Sequence, residues 1–452
     1  MPTRVIDVGI QGGQNPFLFE SNGKTGQYVA LSYCWGDPKF NNVLKTSSQT
    51  FEKHTRGIEF ESLPKTLQDA VTITRRLGLK YLWVDALCII QGDLEDWAKE
   101  SARMCDVYSN AYLTISGDNS SGTSQGIFNK HEFGNPPYKI STKNRKAVYV
   151  RPELARQPDV YNIINRTTSE HPQPINCRAW TLQEALLSNR ILRYTSRELV
   201  WECNEWRHCE CGHGSTAIEF DDESTNRPIR KPDVFGRLSL SQMYQKWNEV
   251  VQMFTERQLG YDEEKLPALS GLANQFSAMF RHISASDQKD EYLAGMWRSN
   301  LAQSLLWTVE DDFYRNNRDE DIVYRRPKAW RAPSWSWAAV EGPVIISPLR
   351  RFNSCIKVIE ASTISSTLDP YGKVKSGRLI IRGRVIHGLT VEVSEGRIDD
   401  KLGGFTLGKK HAVRHGNKLR TFICDESGID LSISVSCVLV GTVDIPGAIV
   451  AH

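Results

Sequence analysis

The sequence predicts an α/β fold built on a doubly wound parallel sheet. One observation is that the run Lys80–Gln91 is almost continuously apolar, which is typical of a strand buried on both faces of a parallel sheet. A second is that strand and helix patterns alternate with short links between residues 28 and 116, which favours a doubly wound arrangement. Because ligands bind outside the carboxyl ends of the strands in such sheets, we expect the functional residues there.

Each element of this part of the sheet has its own signal. Tyr28–Tyr33 predicts the first strand. Apolar residues at helical spacing predict a helix over Thr66–Leu77, which Gly78 ends. After the apolar run, Asp93 is expected to cap a second helix, and Ala111–Ser116 predicts the next buried strand.

The remaining elements of the first domain are predicted further along the chain. A helix is expected to start at Cys177, followed by strands over Arg190–Tyr194 and Leu199–Cys203. The polar, glycine-containing residues 206–238 indicate a loop or linker.

Two more regions are predicted towards the end of the chain. Residues 239–330 are expected to be helical, with one helix beginning at Leu266–Ala273 and another over Tyr292–Trp307. Residues 331–452 show alternating patterns that indicate a small β-rich region. Within it, Ser334–Ala338 alternates Trp with small residues and predicts a strand with a Trp-lined face.

Composition restricts the possible functions. The chain has 452 residues with 56 basic and 53 acidic side chains, a formal charge of +3, which gives no reason to expect nucleic acid as a partner. No apolar run is long enough to span a bilayer, and the first residues lack the apolar core of a signal peptide. We therefore expect a cytoplasmic protein without a membrane span. Ten Cys in so long a chain do not indicate a disulfide framework.

Three motifs together resemble the heterokaryon incompatibility (HET) domain of fungi. They are Leu31–Gly36 (LSYCWG), Trp83–Gln91 (WVDALCIIQ) and Arg178–Glu184 (RAWTLQE). Their order and spacing make the resemblance specific, and it covers about residues 25–205, which we take as the HET domain. The family is implicated in non-self recognition between fungal cells and the death reaction that follows. Its core is held to be related to the TIR fold, so the resemblance implies a TIR-like doubly wound sheet.

The resemblance also implies a chemistry. The spacing of Cys177, Trp180 and Glu184 is similar to the motif that carries the catalytic carboxylate in TIR domains that hydrolyse NAD. This implies cleavage of the nicotinamide glycosidic bond, with Glu184 stabilising the positive charge that develops on the ribose. Arg178 would pair with a phosphate, and Trp180 would either stack on the base or pack in the core. NAD would then be a substrate, and no cofactor is expected.

Further candidates come from the residues themselves. Asp85 is the only charge within the apolar run, so it is either a catalytic carboxylate or an Asp that hydrogen-bonds a nearby backbone turn. Ser32 and Gly36 lie where the first strand passes into a loop, and they could present backbone amides to phosphate. Trp35 is either a ligand platform or core. Gln91, at the end of the segment that Asp85 begins, is a candidate substrate-binding residue. Glu184 itself could be only a helix-dipole partner.

Several alternatives stay open. Cys203, Cys209, Cys211 and His213 lie close together in the sequence, but they lack the Cys-x-x-Cys spacing of common zinc sites, and no metal is predicted. Three functions are compatible with the sequence. The chain could be an NAD-cleaving enzyme of a death pathway, a non-catalytic signalling module, or a HET-like enzyme of small-molecule biosynthesis. Expected partners are a second copy of the chain or another protein of an incompatibility pathway.

Overall fold

The computed structural model describes residues 1–9, 14–37, 39, 43–128, 138–141, 147–150, 173–196, 198–204, 206–210, 216–217, 238–283, 290–309, 326–346, 352–394, 410–415, 418–422, 435–438, 441–445 and 448–451. The chain divides into two compact units, Met1–Phe235 and Gly236–His452. In the described part of the chain, no helix combines the length and apolar character needed to cross a membrane.

The first unit is built on a nine-stranded mixed sheet. Its strands are β1 (Arg4–Asp7), β2 (Phe17–Glu20), β3 (Tyr28–Ser32), β4 (Tyr81–Trp83), β5 (Leu113–Ser116), β8 (Arg190–Tyr194), β9 (Leu199–Cys203), β10 (Trp206–Cys209) and β11 (Thr216–Ala217), while β6 (Tyr138–Ser141) and β7 (Ala147–Val150) form a separate hairpin. The spatial order is β11-β10-β9-β8-β5-β3-β4-β1-β2. Only β4, β3, β5 and β8 are parallel to one another.

The prediction of a doubly wound parallel sheet is therefore correct for the centre and wrong for the flanks. On one side, β1 and β2 pair antiparallel with β4 and with each other. On the other side, β8, β9, β10 and β11 form antiparallel pairs. Antiparallel neighbours need only short connections, so these strands can extend the sheet without further crossover helices.

Six α-helices belong to the described part of the first unit. They are α1 (Phe51–Arg56), α2 (Lys65–Arg76), α3 (Asp85–Cys88), α4 (Leu94–Ala102), α5 (Met104–Asn110) and α6 (Trp180–Leu187). The helix predicted over 66–77 is confirmed as α2, which Gly78 follows with φ +71°. The predicted cap is confirmed too, because the Asp93 side chain accepts from the backbone N–H groups of Glu95 and Asp96.

The apolar run Lys80–Gln91 differs from the prediction of one long strand. The strand β4 ends at Trp83, and the chain turns at once into the short helix α3. Residues 86–89 are all buried. An apolar segment buried on every side has no periodicity that distinguishes strand from helix, so the pattern predicted burial correctly and conformation only in part.

The predicted linker 206–238 also begins as regular structure. Trp206–Cys209 is the strand β10, paired with β9, and Thr216–Ala217 is β11. Along β10 buried and exposed residues alternate, the pattern of a strand with one solvated face. Residues 211–215 and 218–237 of the predicted linker lie outside the described residues.

The second unit combines helices with short and long strands. Its helices are α7 (Leu240–Thr255), α8 (Pro267–Ile283) and α9 (Leu301–Ser304), and its strands are β12 (Tyr292–Leu293), β13 (Met296–Trp297), β14 (Thr308–Val309), β15 (Val344–Ile345), β16 (Phe352–Ser354), β17 (Lys357–Ser365), β18 (Val374–Arg382), β19 (Val385–Ser394), β20 (Lys410–His415), β21 (Lys418–Phe422), β22 (Val435–Val438), β23 (Gly441–Ile445) and β24 (Ala448–Ala451). The helix that Leu266–Ala273 predicts is α8.

The helix predicted over Tyr292–Trp307 is wrong. Residues 292–297 form the hairpin of β12 and β13, and only Leu301–Ser304 is α-helical. At the hairpin turn Ala294 has φ +45° and Gly295 has φ +99°, values that two-residue hairpin turns need and a helix cannot contain.

The strand predicted over Ser334–Ala338 is also wrong. Trp337–Ala339 is a 3-10 turn, and the Ser336 side chain caps it by accepting from the Ala338 backbone N–H. Trp337 is fully buried, and its Nε1 donates to the Gly295 carbonyl at 3.0 Å. The aromatic alternation therefore reflects packing of the indole against the hairpin turn and not a sheet face.

Candidate active site

The candidate site lies where the parallel strands end. In space, the four parallel strands lie in the order β4-β3-β5-β8. In the chain β3 comes first of the four, and the next two, β4 and β5, lie on opposite sides of it. The strand order reverses between β3 and β5, and this switch point is where open α/β sheets bind ligands. Strand β3 ends at Ser32, and Asp85 follows closely after the end of β4.

Glu184 is a buried carboxyl group at this edge. It lies on α6 with 4% of its surface exposed, and the Ser32 hydroxyl donates to its Oε2 atom at 2.5 Å. Burial raises the pKa of Glu184 to about 7, opposed by Arg178 and assisted by the negative charge of Asp85. A carboxyl group with this pKa exchanges a proton near neutral pH, as general acids and bases do.

Asp85 is the second carboxylate, and it begins α3. The Trp35 indole Nε1 donates to its Oδ2 atom at 2.9 Å, and the Ala86 backbone N–H donates to Oδ1 at 2.7 Å. Burial raises the pKa of Asp85, while Arg178 and these hydrogen bonds oppose the rise. Asp85 therefore bonds a backbone turn and shares the electrostatic environment of Glu184, so both sequence-based interpretations of this residue describe part of its surroundings.

Arg178 links the two carboxylates electrostatically. It precedes α6, and its Nη1 atom donates to the Tyr33 carbonyl at 2.5 Å. Burial disfavours the charge of the guanidinium group, yet Asp85 and Glu184 outweigh burial and raise the pKa of Arg178. The site thus combines two carboxyl groups with one permanent cation, and its charge is zero or negative according to the protonation of Glu184.

Two tyrosines complete the buried site, and the sequence analysis did not propose them. Tyr33 and Tyr108 are almost fully buried, and the Tyr108 hydroxyl donates to the Leu31 carbonyl at 3.0 Å. Burial raises the pKa of both phenols, and the charges of Asp85 and Glu184 add to the effect, so both stay neutral. Tyr33 lies inside the LSYCWG motif, which was the available signal. Tyr108 lies on the apolar face of α5, where the pattern indicates burial without a role in the site.

Trp35 and Gly36 follow the end of β3. Trp35 is half-buried, and its ring lies 4.8 Å from the Lys45 ammonium and 5.7 Å from the Arg178 guanidinium carbon. These distances are in the range of cation–π interactions. Gly36 has φ +81°, which explains glycine in this turn without a ligand.

Two other predicted residues have structural contacts. Trp180 packs edge-to-face on Trp97 with ring centroids 6.3 Å apart. The Gln91 side-chain amide donates to the backbone carbonyls of Asp85 at 3.2 Å and Ile89 at 3.1 Å. Gln91 thus holds the segment that carries Asp85, and its assignment as a substrate-binding residue stays a prediction.

A third carboxylate near the switch point, Asp118, forms an ion pair with the buried Arg193. It follows β5, accepts from the Ser116 hydroxyl at 2.5 Å and lies 3.3 Å from the Arg193 Nη1 atom. Arg193 in turn bonds Glu202 at 3.0 Å. The charge of Asp118 is therefore already balanced by a buried arginine. Glu184 and Asp85 are better candidates for catalytic carboxylates.

The structure provides no metal ligand set among the residues it describes. Cys203 and Cys209 lie on the adjacent strands β9 and β10. Cys211 and His213, which complete the group considered in the sequence, lie outside the described residues.

The first unit is thus an α/β domain with a buried acidic site at the carboxyl ends of parallel strands. Residues 28–184 match the family described as Heterokaryon incompatibility protein (HET), so this part of the chain is a HET domain. The resemblance drawn from the three motifs is confirmed, and the match associates the chain with heterokaryon incompatibility. No curated protein and no solved structure matches the chain.

Proposed function

We propose that the HET domain is TIR-like and cleaves the nicotinamide glycosidic bond of NAD in the cytoplasm of a fungal cell, during non-self recognition that leads to cell death. The observation that carries this proposal is Glu184, a buried carboxyl group beside Arg178 and Asp85 with a pKa of about 7. The order of the four parallel strands, second-first-third-fourth, supports the TIR-like assignment, because it is the flavodoxin-like order of doubly wound sheets.

The proposed reaction needs only NAD and water. The bond between the ribose C1′ atom and the nicotinamide nitrogen breaks, and both electrons leave with nicotinamide, which becomes neutral. Positive charge develops on the ribose, and an ionised carboxylate next to it lowers the energy of that state. The water oxygen then bonds to C1′, and a carboxylate accepts the released proton, which yields ADP-ribose.

The surroundings of Glu184 suit this role. The Ser32 hydroxyl donates to Oε2 and fixes the orientation of the carboxylate. With a pKa of about 7, a large fraction of Glu184 is ionised at neutral pH and can still accept a proton. Asp85 supplies a second carboxylate whose orientation Trp35 and Ala86 fix.

The test is the release of nicotinamide from NAD by the full chain, which is measured by chromatography. We expect turnover by the wild type and a loss of about 10²–10³-fold in Glu184→Gln, the range for removing one electrostatic stabiliser. Glu100→Gln is the matched control, because Glu100 is 1% exposed on α4, where its Oε1 atom lies 4.0 Å from Arg4. Equal turnover by the two Gln variants, or none by concentrated wild type, contradicts the proposal.

One observation favours a second candidate, the non-catalytic assembly module. The bond between Ser32 and Glu184 joins β3 to α6, so Glu184 also supports the fold. In that case the wild type would release no nicotinamide at any concentration, and Glu184→Gln would change stability alone.

A further inference from the structure

The charge balance around Glu184 leaves the diphosphate of a dinucleotide without a cation. Arg178, expected from the sequence to bind a phosphate, donates to the Tyr33 carbonyl and interacts electrostatically with Asp85 and Glu184. One cation beside two carboxyl groups is already neutralised. A diphosphate brings further negative charge and needs a separate positive group to bind well.

Lys45 is positioned to be that group. It is exposed, and its ammonium lies 4.8 Å from the centroid of the Trp35 ring. Trp35 in turn donates to the Asp85 carboxylate, so one side chain connects Lys45 to the acidic centre. Within the part of the chain that the structure describes, no carboxylate forms an ion pair with Lys45, which leaves three ammonium donors for a ligand.

The backbone that carries Lys45 is fixed by the same segment as Asp85. Thr46 is fully buried, its N–H donates to the Ala86 carbonyl at 3.0 Å, and its carbonyl accepts from the Gln91 N–H at 2.7 Å. The Thr46 hydroxyl also bonds the His54 Nδ1 atom at 2.9 Å. The backbone next to Lys45 is therefore attached to both ends of the segment that begins at Asp85 and cannot move away from the site without breaking these bonds, while the Lys45 side chain is oriented by its contact with Trp35.

We infer that Lys45 forms a phosphate subsite at the rim of the acidic site and binds the diphosphate of a dinucleotide substrate. Trp35 orients the ammonium, and Lys45 confers preference for substrates with a diphosphate over nucleosides. This inference rests on the proposed function for its substrate class. It assigns the phosphate contact to Lys45 in place of Arg178.

The test measures binding and turnover separately. ADP-ribose, which carries the diphosphate, and adenosine, which lacks it, are titrated into the full chain by calorimetry at low and high salt. We expect Lys45→Glu to weaken ADP-ribose binding at least about tenfold at low salt, as for a lost charge-assisted hydrogen bond, and to leave adenosine binding unchanged. Lys45→Arg should restore most of the affinity. In turnover, KM for NAD should rise with little change in kcat.

Lys24→Glu is the matched control. Lys24 lies 5.2 Å from the Phe19 ring, so the substitution removes the same type of interaction and changes the charge equally. Phe19 belongs to the edge strand β2, which β4 and β1 separate from β3. We expect Lys24→Glu to bind ADP-ribose as the wild type does.

The outcomes separate this inference from the proposed function. NAD cleavage with the same KM in the Lys45 and Lys24 variants overturns the subsite and leaves the function in place. Absence of NAD cleavage, together with ADP-ribose binding that only Lys45→Glu weakens, overturns the function and supports the subsite. A wild type that does not bind ADP-ribose overturns the subsite.

Discussion

Replacing Glu184 with Gln should remove a pH dependence from the stability of the protein. Burial raises the pKa of Glu184 from 4.5 to about 7 in the folded state, so between these values the folded protein binds a proton that the unfolded chain has released. Wild-type stability therefore falls as pH rises from about 4.5 to about 7 and stays lowered above that range. Gln does not titrate, and it keeps an acceptor for the Ser32 hydroxyl.

The size of the effect follows from the two pKa values. One unit of pKa difference corresponds to about 1.4 kcal/mol, so between pH 5 and pH 8 the wild type should lose about 2 to 3 kcal/mol relative to Glu184→Gln. Urea unfolding of the full chain at several pH values, followed by circular dichroism, measures the free energy of unfolding of both proteins. A difference between them that does not change with pH would refute the assignment of a raised pKa to Glu184.

Two further substitutions test the packing and the site. Gly295→Ala should destabilise the protein by about 2–4 kcal/mol in urea unfolding, because Gly295 has φ +99° and an added Cβ would lie 2.6 Å from the Trp337 ring. The control is Gly260→Ala, which has no atom within 4 Å of the added Cβ and should change stability by less than about 0.5 kcal/mol. Equal effects of the two substitutions would contradict this explanation. Ser32→Ala removes a hydrogen bond that lowers the pKa of Glu184, so the rise of NAD cleavage with pH should shift to higher pH by about 1 unit; an unchanged profile would show that Ser32 does not tune the carboxylate.

The elements predicted correctly are those whose signals are local. The helix α2 has apolar residues at helical spacing and a glycine after its end, and Asp93 is followed by a helix whose N–H groups it caps. The central strands β3 and β5 are buried along their whole length, and their apolar runs reflect this. Local chemistry was sufficient for these elements because no distant contact overrides it.

The incorrect predictions depend on contacts that the sequence pattern does not contain. Tyr292–Trp307 has the apolar content of a helix, but the positive φ angles at Ala294 and Gly295 make a hairpin turn, and the Gly295 carbonyl accepts from the Trp247 indole at 2.8 Å. The spacing of apolar residues therefore indicated that much of the segment is buried but did not predict its conformation. In the same way, the antiparallel flanks of the sheet could not be predicted from apolar patterns, because strand direction depends on which neighbours pair.

The candidate site was only partly predictable for the same reason. The motifs identified Glu184, Asp85 and Ser32, and the structure brings these together. Tyr108 belongs to the apolar face of α5 and is distinguished only by its position beside Glu184. Lys45 lies in a segment with no motif, and its relation to the site becomes visible only in the structure, through the Trp35 ring and the bonds of Thr46 to residues 86 and 91.

The most direct measurement for the central claim is the rate of nicotinamide release from NAD by wild-type protein as a function of pH, beside Glu184→Gln. If ionised Glu184 stabilises the ribose cation, the rate should rise with pH through about 7, in accordance with its pKa, and Glu184→Gln should show almost no release at any pH. A folded Glu184→Gln protein that releases nicotinamide with the same profile as the wild type would contradict the account.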